Sequence, residues 1–209
     1  MPIENDSKYR VLNSTEEEIV DDYIKAINTQ DYLDYIVDID SFYNKLNLDS
    51  YIEFSNETEL KEWIYVNINL TDFKDIDEID KLVTDLIETR ANFMNSNSSL
   101  FDRIAILSEE DRSIVFETIY GNLTPIGLPV EYVPLGPCEN ECINDAVDCW
   151  RSANEAYAKA IAVSAGIWAA TGGLAAIPAA GVALVADINH RAALRGCVRA
   201  LNACMRNCE

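Results

Sequence analysis

The chain of 209 residues carries 36 Asp/Glu against 16 Lys/Arg, a formal net charge of −20, and is 49% hydrophobic. That apolar content suits a packed core and excludes a disordered chain; so acidic a surface excludes nucleic acid as a partner, because phosphate binding is driven by basic side chains. The charge is uneven, since residues 138–209 hold six Lys/Arg and seven Asp/Glu and leave nearly all of the net charge to the first 137 residues.

Residues 1–13 read as a polar lead-in. Met1-Pro2-Ile3-Glu4-Asn5-Asp6 is acidic and lacks the apolar run of a signal peptide, so the expectation is a mature form with a start Met added. Ser14 and Glu17 have the spacing of a capping box, and Ile19, Val20, Tyr23, Ile24 and Ile27 follow at helical steps to about Asn28. Asp31 then opens a second helix with Tyr32, Tyr35, Ile36, Ile39, Phe42, Tyr43 and Leu46 on one face, a stripe whose spacing makes it core. Residues 50–55 read as a short extended piece. Asn56 and Glu59 form another capping box ahead of Leu60, Trp63, Ile64 and Ile68.

The acids Asp72, Asp75, Asp77, Glu78 and Asp80 lack the turn glycine and terminal glutamate of a calcium loop. They read instead as the N-terminus of a helix, where the backbone dipole favours anions. That helix buries Ile76, Ile79, Leu82, Val83, Leu86, Ile87, Phe93 and Met94 and ends near Asn95. A turn at 95–99, a short helix from Leu100 to Leu107, and a helix begun by Ser108 with Ile114, Val115 and Ile119 complete the acidic part. Asn-x-Ser/Thr triplets stand at Asn13, Asn56, Asn69, Asn97 and Asn122, a mild excess in an Asn-rich chain. Residues 121–137, with Gly121, Pro125, Gly127, Pro129, Pro134, Gly136 and Pro137, cannot sustain helix and read as a linker.

The last part holds all six cysteines, Cys138, Cys142, Cys149, Cys197, Cys204 and Cys208, at spacings of 4, 7, 48, 7 and 4. The pattern is its own mirror image about Gly173. Steps of 4, 7 and 11 return a side chain to one helix face, and equal rises on the two arms bring the stripes into register when the arms run antiparallel. The expectation is three nested disulfides, Cys138–Cys208, Cys142–Cys204 and Cys149–Cys197, with the hairpin turn at Gly172-Gly173. Glu155 with Arg191, Asp148 with Arg199, and Glu141 with Arg206 fit the same register. A rival is a four-thiolate metal site at Cys138, Cys142, Cys204 and Cys208, but it leaves Cys149 and Cys197 without a role, so no metal and no cofactor is assigned.

Ala160 to Ala186 carries no charged residue, yet Gly172-Gly173 and Pro178 interrupt it. Each arm then spans about 18 Å at 1.5 Å per residue, too short for a bilayer of about 30 Å. Ala158, Ala162, Gly166 and Ala170 on one arm, and Ala175, Ala179 and Ala183 on the other, recur at four-residue steps that permit close helix contact. Ile161, Ile167, Trp168, Leu174, Ile177, Leu184 and Val185 form an apolar tip that needs cover from the acidic domain, another copy, a partner or a membrane.

The one histidine, His190, sits beside Arg191 on the hairpin flank, and no nucleophile elbow, P-loop or dinucleotide fingerprint occurs. No catalytic residue is assigned. The expectation is an all-α protein: an acidic helical domain (1–120), a Pro/Gly linker (121–137) and a disulfide-clasped hairpin (138–209). Functionally it reads as a non-enzymatic, exported or surface-associated binding or structural protein that offers its tip to a protein partner or another copy. The alternative is a membrane-active protein of toxin or bacteriocin kind whose tip inserts. Disulfides imply an extracellular, cell-surface or periplasmic setting. Nested bridges also occur in saposin-like domains, but at spacings that differ from these.

Overall fold

The structure, a computed structural model, describes residues 11–48, 52–121, 136–171 and 174–208. Among them it contains eight α-helices, one 3-10 turn and no strand. The helices are α1 (Ser14–Ile27), α2 (Gln30–Leu46), α3 (Glu57–Val66), α4 (Ile76–Ser96), α5 (Ser98–Ala105), α6 (Glu109–Gly121), α7 (Pro137–Ala170) and α8 (Ala176–Arg206), and the 3-10 turn is Ile68–Leu70. The protein is all-α, an acidic helical part with a long antiparallel hairpin, α7–α8, clasped by three disulfides.

The first cap falls one residue before Ser14. Asn13 is the N-cap: its side chain accepts from the Thr15 and Glu16 N–H groups, and the buried Glu16 carboxylate accepts the Asn13 N–H at 2.8 Å. Asn caps as well as Ser does, and this choice places Glu16 three residues on, where it closes the box. Asn56 caps α3 as expected, but the Glu59 carboxylate takes the N–H of Ser55 rather than that of Asn56. Asp75 caps α4 by accepting from Glu78 N–H. The expected turn at 95–99 shrinks to Asn97, whose side-chain amide donates to the Phe93 carbonyl at 2.8 Å. Residues 49–51, most of the expected linker (122–135, with the sequon at Asn122) and the turn pair Gly172 and Gly173 lie outside the described residues.

One apolar cluster runs through both parts. It joins Ile19, Tyr23, Tyr35, Ile39, Phe42, Ile79, Val83, Phe101 and Phe116 to Ala158, Ile161, Trp168, Ala179, Leu184 and Ile188. α7 packs on α5 and α6, α8 packs mainly on α4, and the two arms pack on each other. Aromatic edges mark the seam: Tyr120 meets Tyr157 at 4.7 Å and Phe101 meets Trp168 at 5.7 Å between ring centroids. The acidic helices therefore wrap one side of the hairpin, and the boundary drawn by charge does not interrupt the core.

Small residues do the close work between the arms. Ala179, Ala180 and Ala183 are fully buried, and the Ser164 hydroxyl on α7 donates to the Ala179 carbonyl at 2.8 Å. On α7 the four-residue stripe has mixed roles. Ala158 and Ala162 are buried and Ala170 is exposed, whereas Gly166 faces α6, where a β-carbon would stand 3.4 Å from the Arg112 guanidinium.

None of the three charge pairs expected from register forms among the described residues, and members of two of them pair elsewhere. Arg191 binds Asp40 on α2 and lies 3.9 Å from Asp187 on its own helix; Asp148 pairs with Arg151 at 2.8 Å, and Arg199 donates to the Leu48 carbonyl. The basic stripe of α8 thus faces α2 and the residues just after it, where Arg191 meets the Asp40 carboxylate, Arg195 the Asn44 side-chain oxygen and Arg199 the Leu48 carbonyl.

Candidate functional site

The clasp follows from the two cysteine stripes. Cys138–Cys208, Cys142–Cys204 and Cys149–Cys197 each join the arms at a Cα separation of 5.7 Å, within the ordinary range for a disulfide. Equal separations at three levels mean that the arms run side by side without splaying. Trp150, Ala146 and Cys197 make a small apolar cluster of their own at this end. The outer two bridges touch, with Cys142 Sγ 3.7 Å from Cys208 Sγ, and the Sγ atoms of Cys138, Cys142 and Cys208 all lie within 4.8 Å of one another. The four cysteines of the rival metal set are thus paired in two adjacent disulfides. Disulfides of this kind form and persist in oxidising environments, which three bridges suggest for this chain.

Midway along the hairpin lies a buried polar centre that periodicity did not reveal. Asp187 on α8 is 1% exposed and accepts hydrogen bonds from two phenols, Tyr157 on α7 at 2.6 Å and Tyr35 on α2 at 2.8 Å. Arg90 on α4 is 2% exposed and sits 5.2–5.6 Å from the rings of Tyr32, Phe93 and Tyr35, a cation in an aromatic box. Two of its nitrogens, Nε and Nη1, have no hydrogen-bond partner. Burial, reinforced by the Asp187 carboxylate, holds the Tyr35 and Tyr157 phenols well above their usual range, so they stay protonated donors. The group joins α2, α4, α7 and α8 through polar contacts in the core. One clue was present: Asp187 continues the stripe Ala175, Ala179, Ala183 by a further four residues and so interrupts a buried face with an acid.

His190 stands one helical turn along from this centre. Its ring stacks on Tyr157 at 4.4 Å, and its Nε2 meets the Asn154 side-chain oxygen at 2.8 Å. Burial pushes its pKa down to about 4, against the opposing pull of Asp187, so the ring is neutral at pH 7. The stacked pair walls a cavity of 420 Å³ between the arms, which the Cys149–Cys197 bridge, Ala153 and Glu53 also line. The cavity is a largely apolar space, and its one aromatic hydroxyl is already committed to Asp187.

The seven tip residues do not form one exposed surface. Ile161, Trp168, Leu184 and Val185 are buried in the common core, and Ile167 packs half-buried against it. Only Leu174, 93% exposed, and Ile177, 53% exposed, face outward. The acidic helices cover the rest, because α5 and α6 lie along the distal half of α7. Val163, also exposed, is one turn before Ile167 on α7 and extends the outward strip. No described helix is long and apolar enough to cross a membrane.

No protein-family model matches the chain, and no curated protein or solved structure matches it either.

Proposed function

We propose that the protein is a non-enzymatic, exported or surface-associated binding protein in which the clasped hairpin is a rigid spine and its outer end is a contact point for a protein partner. The observation that supports this reading most directly is the exposure of Leu174 and Ile177 at the end of a hairpin held on all other levels. Three bridges hold its base, and Trp168 and Ile161 anchor its distal half in the core. An apolar side chain on a rigid support loses little conformational entropy when it docks. The first turn of α6 carries Glu109, Glu110 and Asp111, the next residue, Arg112, reaches Gly166 on the distal part of α7, and the whole chain is at −20. A second copy would be repelled by that charge, so the occupant it fits is a protein with an apolar socket rimmed by Lys and Arg.

The test is site-specific photo-crosslinking in the cell of origin, with the crosslinker placed at Leu174 and, as control, at the exposed Val37 of α2. The expected result is a discrete adduct from position 174 that weakens at high salt and disappears with Ile177→Asp. Equal, featureless labelling from both positions would remove the basis for the reading.

A further inference from the structure

We propose that the cavity between the arms is a binding site for a small neutral molecule, apolar over most of its surface and carrying one hydroxyl or N–H group that His190 recognises. The space exists because the arms are held at a fixed width but faced with small side chains. The Cys149–Cys197 bridge sets the width at one end, with Cα atoms 5.7 Å apart, and the Ser164 hydroxyl ties the arms at the other by donating to the Ala179 carbonyl. Between them Ala153, Ala156, Ala160, Ala186, Ala193 and Gly196 cannot fill the gap, and 420 Å³ is left. That size falls within the range of about 300–1,000 Å³ usual for small-molecule pockets.

The polar groups of the lining single out one recognition atom. The Tyr157 hydroxyl is committed to Asp187. The Asn189 side chain is satisfied by Phe54: its oxygen accepts the Phe54 N–H at 3.0 Å and its amide donates to the Phe54 carbonyl at 2.8 Å. His190 differs. Its ring is neutral at pH 7, and the Asn154 oxygen opposite Nε2 accepts, so the proton sits on Nε2. Nδ1 is then a bare acceptor; it has no partner among the described residues and is not sealed from solvent, so a ligand can reach it. An acceptor in an apolar wall discriminates, because a donor placed against it makes a hydrogen bond that a molecule without one leaves unmade.

Charge sets the rest of the specificity. Among the described residues no Lys or Arg lines the cavity, whereas Glu53 does, held beside it by the pairing of the next residue, Phe54, with Asn189. In a chain at −20 a carboxylate or phosphate would enter against that charge. A cation would have to shed its water in a largely apolar space. The ligand class is therefore neutral. The site is separate from Leu174 and Ile177 at the hairpin end and does not depend on what those residues contact.

Isothermal titration calorimetry of the oxidised full chain at pH 7 tests this with three probes of one shape: 1-naphthol, naphthalene and 1-naphthoate. 1-Naphthol should bind at equimolar stoichiometry and roughly fivefold tighter than naphthalene, the size of one net hydrogen bond. 1-Naphthoate should bind more weakly than either. His190→Phe keeps a flat ring beside Tyr157 and removes the acceptor, so it should bring 1-naphthol down to the affinity of naphthalene. Ala156→Trp starts from an exposed position on the cavity wall, outside the core, and should abolish binding of both neutral probes. Failure of 1-naphthol to bind, equal affinity of 1-naphthol and naphthalene for the wild type, or 1-naphthoate binding as tightly as 1-naphthol would overturn the proposal. Binding that survives Ala156→Trp would place the probes elsewhere and overturn it too. Should His190→Phe fail to fold, the wild type and Ala156→Trp decide the matter between them.

Discussion

His190 is the side chain whose behaviour can be read most directly from solution. Its pKa in the folded protein is about 4, against an unfolded value near 6.5. Between those values the unfolded chain binds the proton and the folded chain does not, so this residue's contribution to stability falls as pH is lowered from about 6.5 to about 4 and levels off below. The groups that face the ring are the Tyr157 phenol, Asn154, and the charges of Asp187 and Arg191. Carboxylates held low by hydrogen bonds, such as Asp22, Asp75, Glu59 and Glu78, lose their contribution as pH falls through and below their ordinary range, so the interval from about 5.5 to 6.5 belongs chiefly to the imidazole. Urea unfolding across that interval should show the slope in wild type and a flatter line in His190→Gln; the same slope in both would assign it elsewhere. At this scale the cysteines were legible, because one residue type at mirror-image spacings has one economical explanation. Arg90 and Asp187 were not, because a lone charge in a helical pattern says nothing about whether its face meets water or core.

At the scale of elements, the positions of the helices could be read and their ends less well. Period and capping chemistry placed most of the helices and the cysteine spacing placed the two arms, yet Asn13 displaced Ser14 as a cap, the short helix expected over Leu100–Leu107 runs over Ser98–Ala105, and one residue, Asn97, separates α4 from α5. Two neighbouring polar residues compete for a cap on near-equal terms, and only the reach of the Glu16 carboxylate decides between them. The α7–α8 contact is where small size matters most. Ala183 is fully buried beside other alanines, and Ser164 binds the α8 backbone directly. Ala183→Leu adds three carbons where the arms cannot part, since the bridges hold one end and the core the other. It should cost about 1–3 kcal/mol, read as a lower denaturation midpoint with all three disulfides still formed. No loss of stability would mean that the arms are less tightly apposed than they stand here.

For the molecule as a whole, the sequence left the destination of the apolar tip open among core, copy, partner and membrane. The choice depends on how a distant set of acidic helices folds back, and no local pattern encodes that. Trp168 makes the arrangement testable. It is 2% exposed and rests against Phe101. If the hairpin end enters lipid, Trp168 has to leave that contact, and anionic vesicles at pH 5 should shift its emission and release trapped dye. The covered arrangement predicts neither effect in the oxidised protein; leakage that disappears on reduction would favour the membrane-active alternative instead.

The nested clasp has a mechanical consequence. A pull applied between residue 11 and residue 208 loads the acidic helices in the ordinary way, but at Cys138 the tension passes through sulfur straight to Cys208, 70 residues further along. The hairpin between them carries no load, so the stretched molecule behaves as a chain about 130 residues long, by the difference between the attachment points and that bypass. Breaking all three bridges would release roughly 230–250 Å of hidden length at 3.3–3.6 Å per residue. The protein is thus extensible in its first part and inextensible in its second, with a length set by the state of its sulfurs.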